Sequence, residues 1–228
     1  MAALLLSACD GVAVLRDGGL KLSAELLCHL PLDEGKGNTA RDITNNGYNG
    51  DIFGGPLWVA GRSGYALRLD GEDDRVTLSG WPVVDGPFSI SIWVRRTGQG
   101  IAQKQDLIRY NTPSKTDGFL LRWWSSGEIR FTLCTTQLKY HCYRQLPDPK
   151  TKAWIHLAAT WDGARVRLFV DGALAHELET LGKLSYPMHP LSLGGEDGYF
   201  PGEMDDLRIY GRALSPAEVR ALAAPNTP

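Results

Sequence analysis

Trp154-Ile-His-Leu-Ala-Ala-Thr-Trp161-Asp162-Gly163-Ala164-Arg165-Val-Arg-Leu-Phe-Val170-Asp171-Gly172 is the stretch on which the fold turns. Two Asp-Gly pairs punctuate runs rich in β-branched and aromatic residues, and Asp-Gly is a two-residue hairpin signal. The stretch therefore predicts three antiparallel strands in a meander, Trp154–Trp161, Ala164–Val170 and Ala175–Leu178. Upstream, Phe88-Ser-Ile-Ser-Ile-Trp-Val-Arg95 alternates with period two, placing Phe88, Ile90, Ile92 and Val94 on one face. Ser89, Ser91, Trp93 and Arg95 take the other.

The same pattern extends in both directions. Leu27–Leu32 reads as a first strand, and Tyr65–Leu69 with Arg75–Leu78 as a hairpin with an acidic tip at residues 70–74. Leu107–Tyr110, Gly118–Trp124, Glu128–Leu133, Pro190–Leu193 and Met204–Tyr210 are further strands. About a dozen short strands with turns between them, and no helices among them, predict an all-β, two-sheet antiparallel sandwich. One helix is signalled at the C-terminal end: Ser215-Pro216-Ala217-Glu218 supplies an N-cap serine, a proline at the first turn and a capping-box glutamate. Pro225 ends it. The predicted organisation is a leader or tether over 1–25, one domain over 26–224, and a tail at 225–228.

Composition narrows the function classes. A formal charge of −2 and scattered basic residues leave no phosphate track, so nucleic acid is not expected as a partner. No apolar run is long enough to span a bilayer as a helix. Leu6-Ser7-Ala8-Cys9 has the look of a lipobox, with Cys9 as the lipid anchor, but lacks a basic leader and a full apolar stretch. An ordinary apolar terminus stands beside that reading. Cys134 and Cys142 sit near a strand junction where a disulfide could form, which would imply an oxidising compartment. Cys28 reads as a small buried side chain, and no Cys/His cluster has zinc spacing.

Taken in order, several blocks resemble a known family. They are Leu32-Asp-Glu-Gly35, Asp42 through Asn49-Gly50, Ala66-Leu-Arg-Leu-Asp-Gly71, Phe88–Val94, Trp154–Asp162, Val166–Gly172 and Gly202-Glu-Met-Asp-Asp-Leu-Arg-Ile-Tyr210 with its helix. The chain resembles the laminin-G-like, concanavalin A-like domains over residues 28–223, and more distantly the pentraxins. That resemblance implies a jelly roll. It implies a range of roles: carbohydrate or glycoprotein binding, adhesion, and in some branches glycoside hydrolysis or polysaccharide lysis. It further implies a structural calcium tying the first strand to the last, with Asp33, Asp205 and carbonyls around Gly71 as ligands; solvated turn caps are the alternative. The pentraxin likeness implies a ligand-bridging calcium near Asp117, Glu196 and Asp197.

Enzymatic chemistry finds little support. A retaining glycosidase needs two carboxylates facing one cleft. The nearest approach, Glu203-Met-Asp205-Asp206-Leu-Arg208, ends in arginine where a second glutamate belongs. His156 has no nucleophile elbow and reads as a packed strand histidine. Trp123 and Trp124 are adjacent on a strand and must point to opposite faces, one into the core and one onto a sheet surface with Arg122 or Tyr140 nearby. Trp93, Trp154 and Trp161 are expected in the core. The expected role is a non-catalytic extracytoplasmic module that binds carbohydrate through Asp117, Arg122, Trp124, Tyr140, Glu196 and Asp197.

Overall fold

The computed structural model describes residues 22–78, 86–98, 103–112, 116–148, 152–187 and 189–224. Cys9, most of the expected leader, Pro225 and the tail lie outside the described residues. One sheet, A, has the order β14 (Ala173–Glu179), β13 (Arg165–Val170), β12 (Ile155–Trp161), β7 (Phe88–Arg96), β16 (Pro201–Tyr210), β5 (Tyr65–Asp70), β4 (Leu57–Ala60), with β1 (Leu26–Leu30) also on β16. The other, sheet B, runs β11 (Lys139–Gln145), β10 (Glu128–Cys134), β9 (Phe119–Trp124), β8 (Lys104–Tyr110), β15 (Leu191–Leu193), β6 (Arg75–Leu78), β3 (Gly50–Phe53), β2 (Thr39–Ala40). Every pairing is antiparallel, and the sequence-distant neighbours make this a jelly-roll sandwich.

The central meander forms as its turns dictate. Asp171 and Gly172 both take positive φ, as a type I′ turn requires, and join Val170 directly to Ala173. The other turn centres one residue later than Asp162-Gly163: Asp162 N–H donates to the Arg165 carbonyl, and the Asp162 carboxylate accepts from the Ala164 and Arg165 amides. Phe88, Ile90, Ile92 and Val94 enter the core between the sheets and meet Phe119, Leu121, Trp123, Ile129 and Phe131 from sheet B. Phe88 stacks on Phe119 at 5.0 Å and Trp123 on Phe200 at 6.1 Å. Truncating either large ring to alanine costs about 3–5 kcal/mol.

The outer face of sheet A is closed too. Helix α1 (Pro216–Ala223) is capped by Ser215, whose Oγ accepts from the Glu218 amide while Glu218 accepts from the Ser215 amide. Its Val219 and Leu222 pack with Leu22, Ala158, Phe169, Tyr210 and Leu214. Leu22, ahead of the boundary expected at 26, is part of this cluster. This cover also buries Ser89, Ser91 and Trp93, the face of β7 expected to look outward. Trp161 is in the core as expected; Trp93 is buried on the outer face under Arg62, and Trp154 is only half-buried beside Arg95.

The cysteine expectation is corrected. The β10–β11 hairpin turns tightly at 135–138, so Cys134 pairs with Lys139 and Cys142 with Phe131. Three rungs separate the two thiols, too far for a disulfide. Cys28, Cys134 and Cys142 are all buried, and no disulfide joins them.

Candidate functional site

Trp123 and Trp124 divide as strand geometry demands: Trp123 is in the core and Trp124 lies on the outer face of sheet B. Cross-strand partners share a face, so Lys104 joins Trp124, Asp106 joins Arg122, and Arg109 joins Leu120. Asp106 and Arg109 are three residues apart, which ordinary alternation would send to opposite faces. A bulge between Asp106 and Ile108 restores both to the outer face. Ser192 of β15 is opposite Arg109 and continues the row.

The loop after β15, Gly194-Gly195-Glu196-Asp197-Gly198, folds over this face. Its three glycines take positive φ, and a Cβ on Gly198 would sit 2.1 Å from the Lys104 carbonyl oxygen. The Asp106 amide donates to the Gly198 carbonyl at 2.8 Å. Asp197 accepts from Lys104 Nζ at 2.9 Å and from Arg122 at 3.1 Å. Arg122 Nε also donates to Asp106, which is wholly buried. Burial pushes the Asp106 carboxyl upward, and its contact with Arg122 opposes that shift. Glu196 lies 3.7 Å from Arg109 Nε and 3.9 Å from His189 Nδ1.

Gln103, Lys104, Trp124, Asp197 and Gly198 line an open groove of about 620 Å³ beside this network. Trp124 Nε1 has no hydrogen-bond partner, and the Arg130 guanidinium lies 5.1 Å from the centre of its ring. An indole with polar donors and acceptors beside it can stack on a sugar ring and bond its hydroxyls.

Four expected ligand-site residues, Arg122, Trp124, Glu196 and Asp197, therefore come together. Two do not. Tyr140 is opposite core residue Leu133 and so points inward, where its hydroxyl accepts from the Leu181 amide. Asp117 caps the end of the β8–β9 connection through the amide and hydroxyl of Thr112. With Asp117 elsewhere, and Glu196 and Asp197 facing cations, the pentraxin-like calcium arrangement is not assembled. Lys104, Asp106, Arg109 and Ser192 were missed: the strand expected from Leu107 in fact starts at Lys104, and the bulge after Asp106 hides that Arg109 shares its face.

The structural-ion residues split similarly. β16 pairs with β5 over its first half and with β1 over its second, and the change falls at the bulge of Asp205 and Asp206. There Asp205 accepts from the Arg62 amide at 2.8 Å, and Asp33 accepts from the Tyr65 amide at 2.7 Å. The two carboxylates thus converge on one turn, each using a single oxygen for its short bond. Asp205 is pushed up to about 7, mainly by burial and also by Asp206 and Asp33. Asp33 and Asp205 are thus the two carboxylates that could contribute oxygens to a cation at this turn, two of the roughly six to eight that calcium takes. Gly71 lies apart: it packs on Pro201, four residues along β16 from Asp205, roughly 13 Å away. Gly71 instead sits within the turn of Asp70, Asp73 and Asp74, whose ligand atoms lie within 4.8 Å of one another. Asp74 there accepts from the Asp70 amide, and Asp70 from the Glu72 amide.

The two antiparallel sheets and their strand order define a two-sheet jelly-roll sandwich. The chain belongs to the concanavalin A-like lectin/glucanases superfamily, whose family profile matches residues 70–220. Among solved structures it is similar to domain 4 of AbnA, a GH43 extracellular arabinanase from Geobacillus stearothermophilus in complex with arabinotriose. That match has 22% identity and a TM-score of 0.70, covering 88% of this chain and 99% of the other. It is also similar to the binding domain of Paraclostridial Mosquitocidal Protein 1, at 19% identity and a TM-score of 0.72, covering 89% of this chain and 52% of that one. A third, the binding domain of botulinum neurotoxin DC in complex with SialylT, has 16% identity and a TM-score of 0.67, covering 89% and 52%. The chain spans about half the length of these toxin domains, and the likeness at such identities is one of fold. Comparison with curated protein sequences gives no match.

Proposed function

We propose that the protein is a non-catalytic, extracytoplasmic binding module for carbohydrate or glycoconjugate, with the Trp124 groove as its sugar site. The observation that carries this reading is the convergence of Trp124, Lys104 and Asp197 on one open groove, with Arg122 bonded to Asp197 behind it. The arabinotriose in one structural neighbour and SialylT in another support it. So does the placement of the acids. Glu203 is buried between Arg68 and Arg95, and Asp106 is sealed behind Arg122, so neither is offered to a glycosidic bond. Among the described residues no helix is long and apolar enough to cross a membrane. A structural calcium between Asp33 and Asp205 belongs to the same reading.

A glycan array probed with and without chelator tests it: binding to a defined glycan class supports the proposal, and silence across all glycans overturns it. One observation favours a second role in adhesion to protein. Leu138 and Leu181 are both exposed, and their backbone carbonyls both lie within hydrogen-bond distance of the Thr135 hydroxyl.

A further inference from the structure

Beneath the Glu196–Asp197 loop, the outer face of sheet B buries four polar atoms that have no hydrogen-bond partner. They are Asp106 Oδ2, Arg109 Nε, Asn111 Oδ1 and Ser192 Oγ. All four residues are at most 4% exposed. Buried polar groups are ordinarily bonded to protein, water or ligand, so a cluster of such atoms calls for a partner from outside the chain.

Arg109 is the centre of it. Its NH1 lies 3.5 Å from Asp106 Oδ2 and its Nε lies 3.7 Å from Glu196 Oε2, and neither distance makes a normal charge-assisted bond. Its Nε is thus desolvated without a bond to compensate it. Its planar fork suits a carboxylate approached two-fold. Glu196 already occupies the approach, but loosely, at the rim, on a loop whose flanking glycines adopt backbone angles closed to other residues.

The charges are balanced only by that loop. Lys104, Arg109 and Arg122 face a single acid fixed on the sheet, Asp106; Glu196 and Asp197 supply the other two. An incoming carboxylate can therefore replace Glu196 on Arg109 charge for charge, with Ser192 Oγ beside it as a further bonding group.

We propose that Arg109 receives the carboxylate of an acidic sugar, a uronate unit of a glycan whose neighbouring ring lies against Trp124, and that Glu196 holds its place in the absence of ligand. This rests on the carbohydrate reading and names the class of sugar.

Calorimetry on the whole chain tests it, with oligogalacturonate and oligoglucuronate as probes, each against its methyl ester. The acid form binds roughly tenfold or more tightly than the ester, and the preference shrinks as salt rises. Arg109→Gln brings the acid down to the affinity of the ester. Glu196→Gln, a rim substitution, removes the internal competitor and strengthens uronate binding several-fold. If Arg109→Gln does not fold, Glu196→Gln and the acid–ester comparison decide the matter. Equal binding of acid and ester, or uronate binding unchanged or weakened in Glu196→Gln, overturns the proposal. Neutral glycans bound at Trp124 with no acid preference sink this inference alone, whereas silence toward every glycan sinks the carbohydrate reading with it.

Discussion

Arg122 and Asp197 meet at 3.1 Å, and through this contact the loop after β15 is fastened to the face of sheet B. Arg122 in turn is bonded to Asp106, a buried acid of the sheet beneath it. The groove is therefore as rigid as that buried pair.

Asp106→Ala leaves Arg122 and Arg109 buried without their fixed counter-charge. The expected loss is about 3–5 kcal/mol of unfolding free energy. Urea denaturation measures it, and a loss below about 1 kcal/mol would show that Arg122 does not rely on Asp106.

How much of this was legible before the structure follows from the physics of each element. The core face of β7 was readable because Phe88, Ile90, Ile92 and Val94 alternate without interruption. The helix was readable because Ser215, Pro216 and Glu218 act over four consecutive residues. The site was half readable. Trp124 and Arg122 lie on a regular strand, but Asp106 and Arg109 share its face only through a bulge, which leaves no periodic trace. Tyr140 failed for a related reason: a hairpin's register sets which way each residue points, and a one-residue shift reverses it; Asp117 failed because it lies in the connection before β9, where its carboxylate is taken up by Thr112. Cys134 and Cys142 were misjudged on that same register.

His156 is buried and neutral, its pKa lowered to about 4, chiefly by desolvation, with Arg208 and Arg62 adding to the effect and Asp206 opposing it. Its Nε2 bonds Ser91 Oγ at 2.8 Å. A group depressed below its unfolded value of about 6.5 makes the unfolded chain bind more protons between those limits. Stability is then full above about pH 6.5 and falls as pH drops toward 4, by roughly 3 kcal/mol in all. Urea midpoints across that range measure this, and His156→Gln flattens the slope. An identical slope in the variant would refute the assignment.

The three buried thiols are shielded. Burial raises Cys28 and Cys134 and pushes Cys142 up to about 12. Thiol reagents are expected to react with these cysteines only after denaturation, and reductant to leave the melting temperature unchanged. A non-reducing peptide map containing a Cys134–Cys142 cross-link would contradict this.

The pairing of Asp33 with Asp205 makes a prediction about calcium. At neutral pH, added calcium raises the melting temperature by several degrees and chelator reverses it, as mass action on the folded state requires. Asp205→Asn abolishes the response. A melting temperature indifferent to both calcium and chelator would remove the ion from the account.

The sugar site itself is tested by one titration. The best glycan from an array is titrated calorimetrically into the native protein and into Trp124→Ala, with the melting temperature of each recorded. Loss of the stacking indole is expected to weaken binding roughly tenfold or more while the fold stays intact. Equal affinity in the two proteins would place the sugar elsewhere and contradict the assignment of the Trp124 groove.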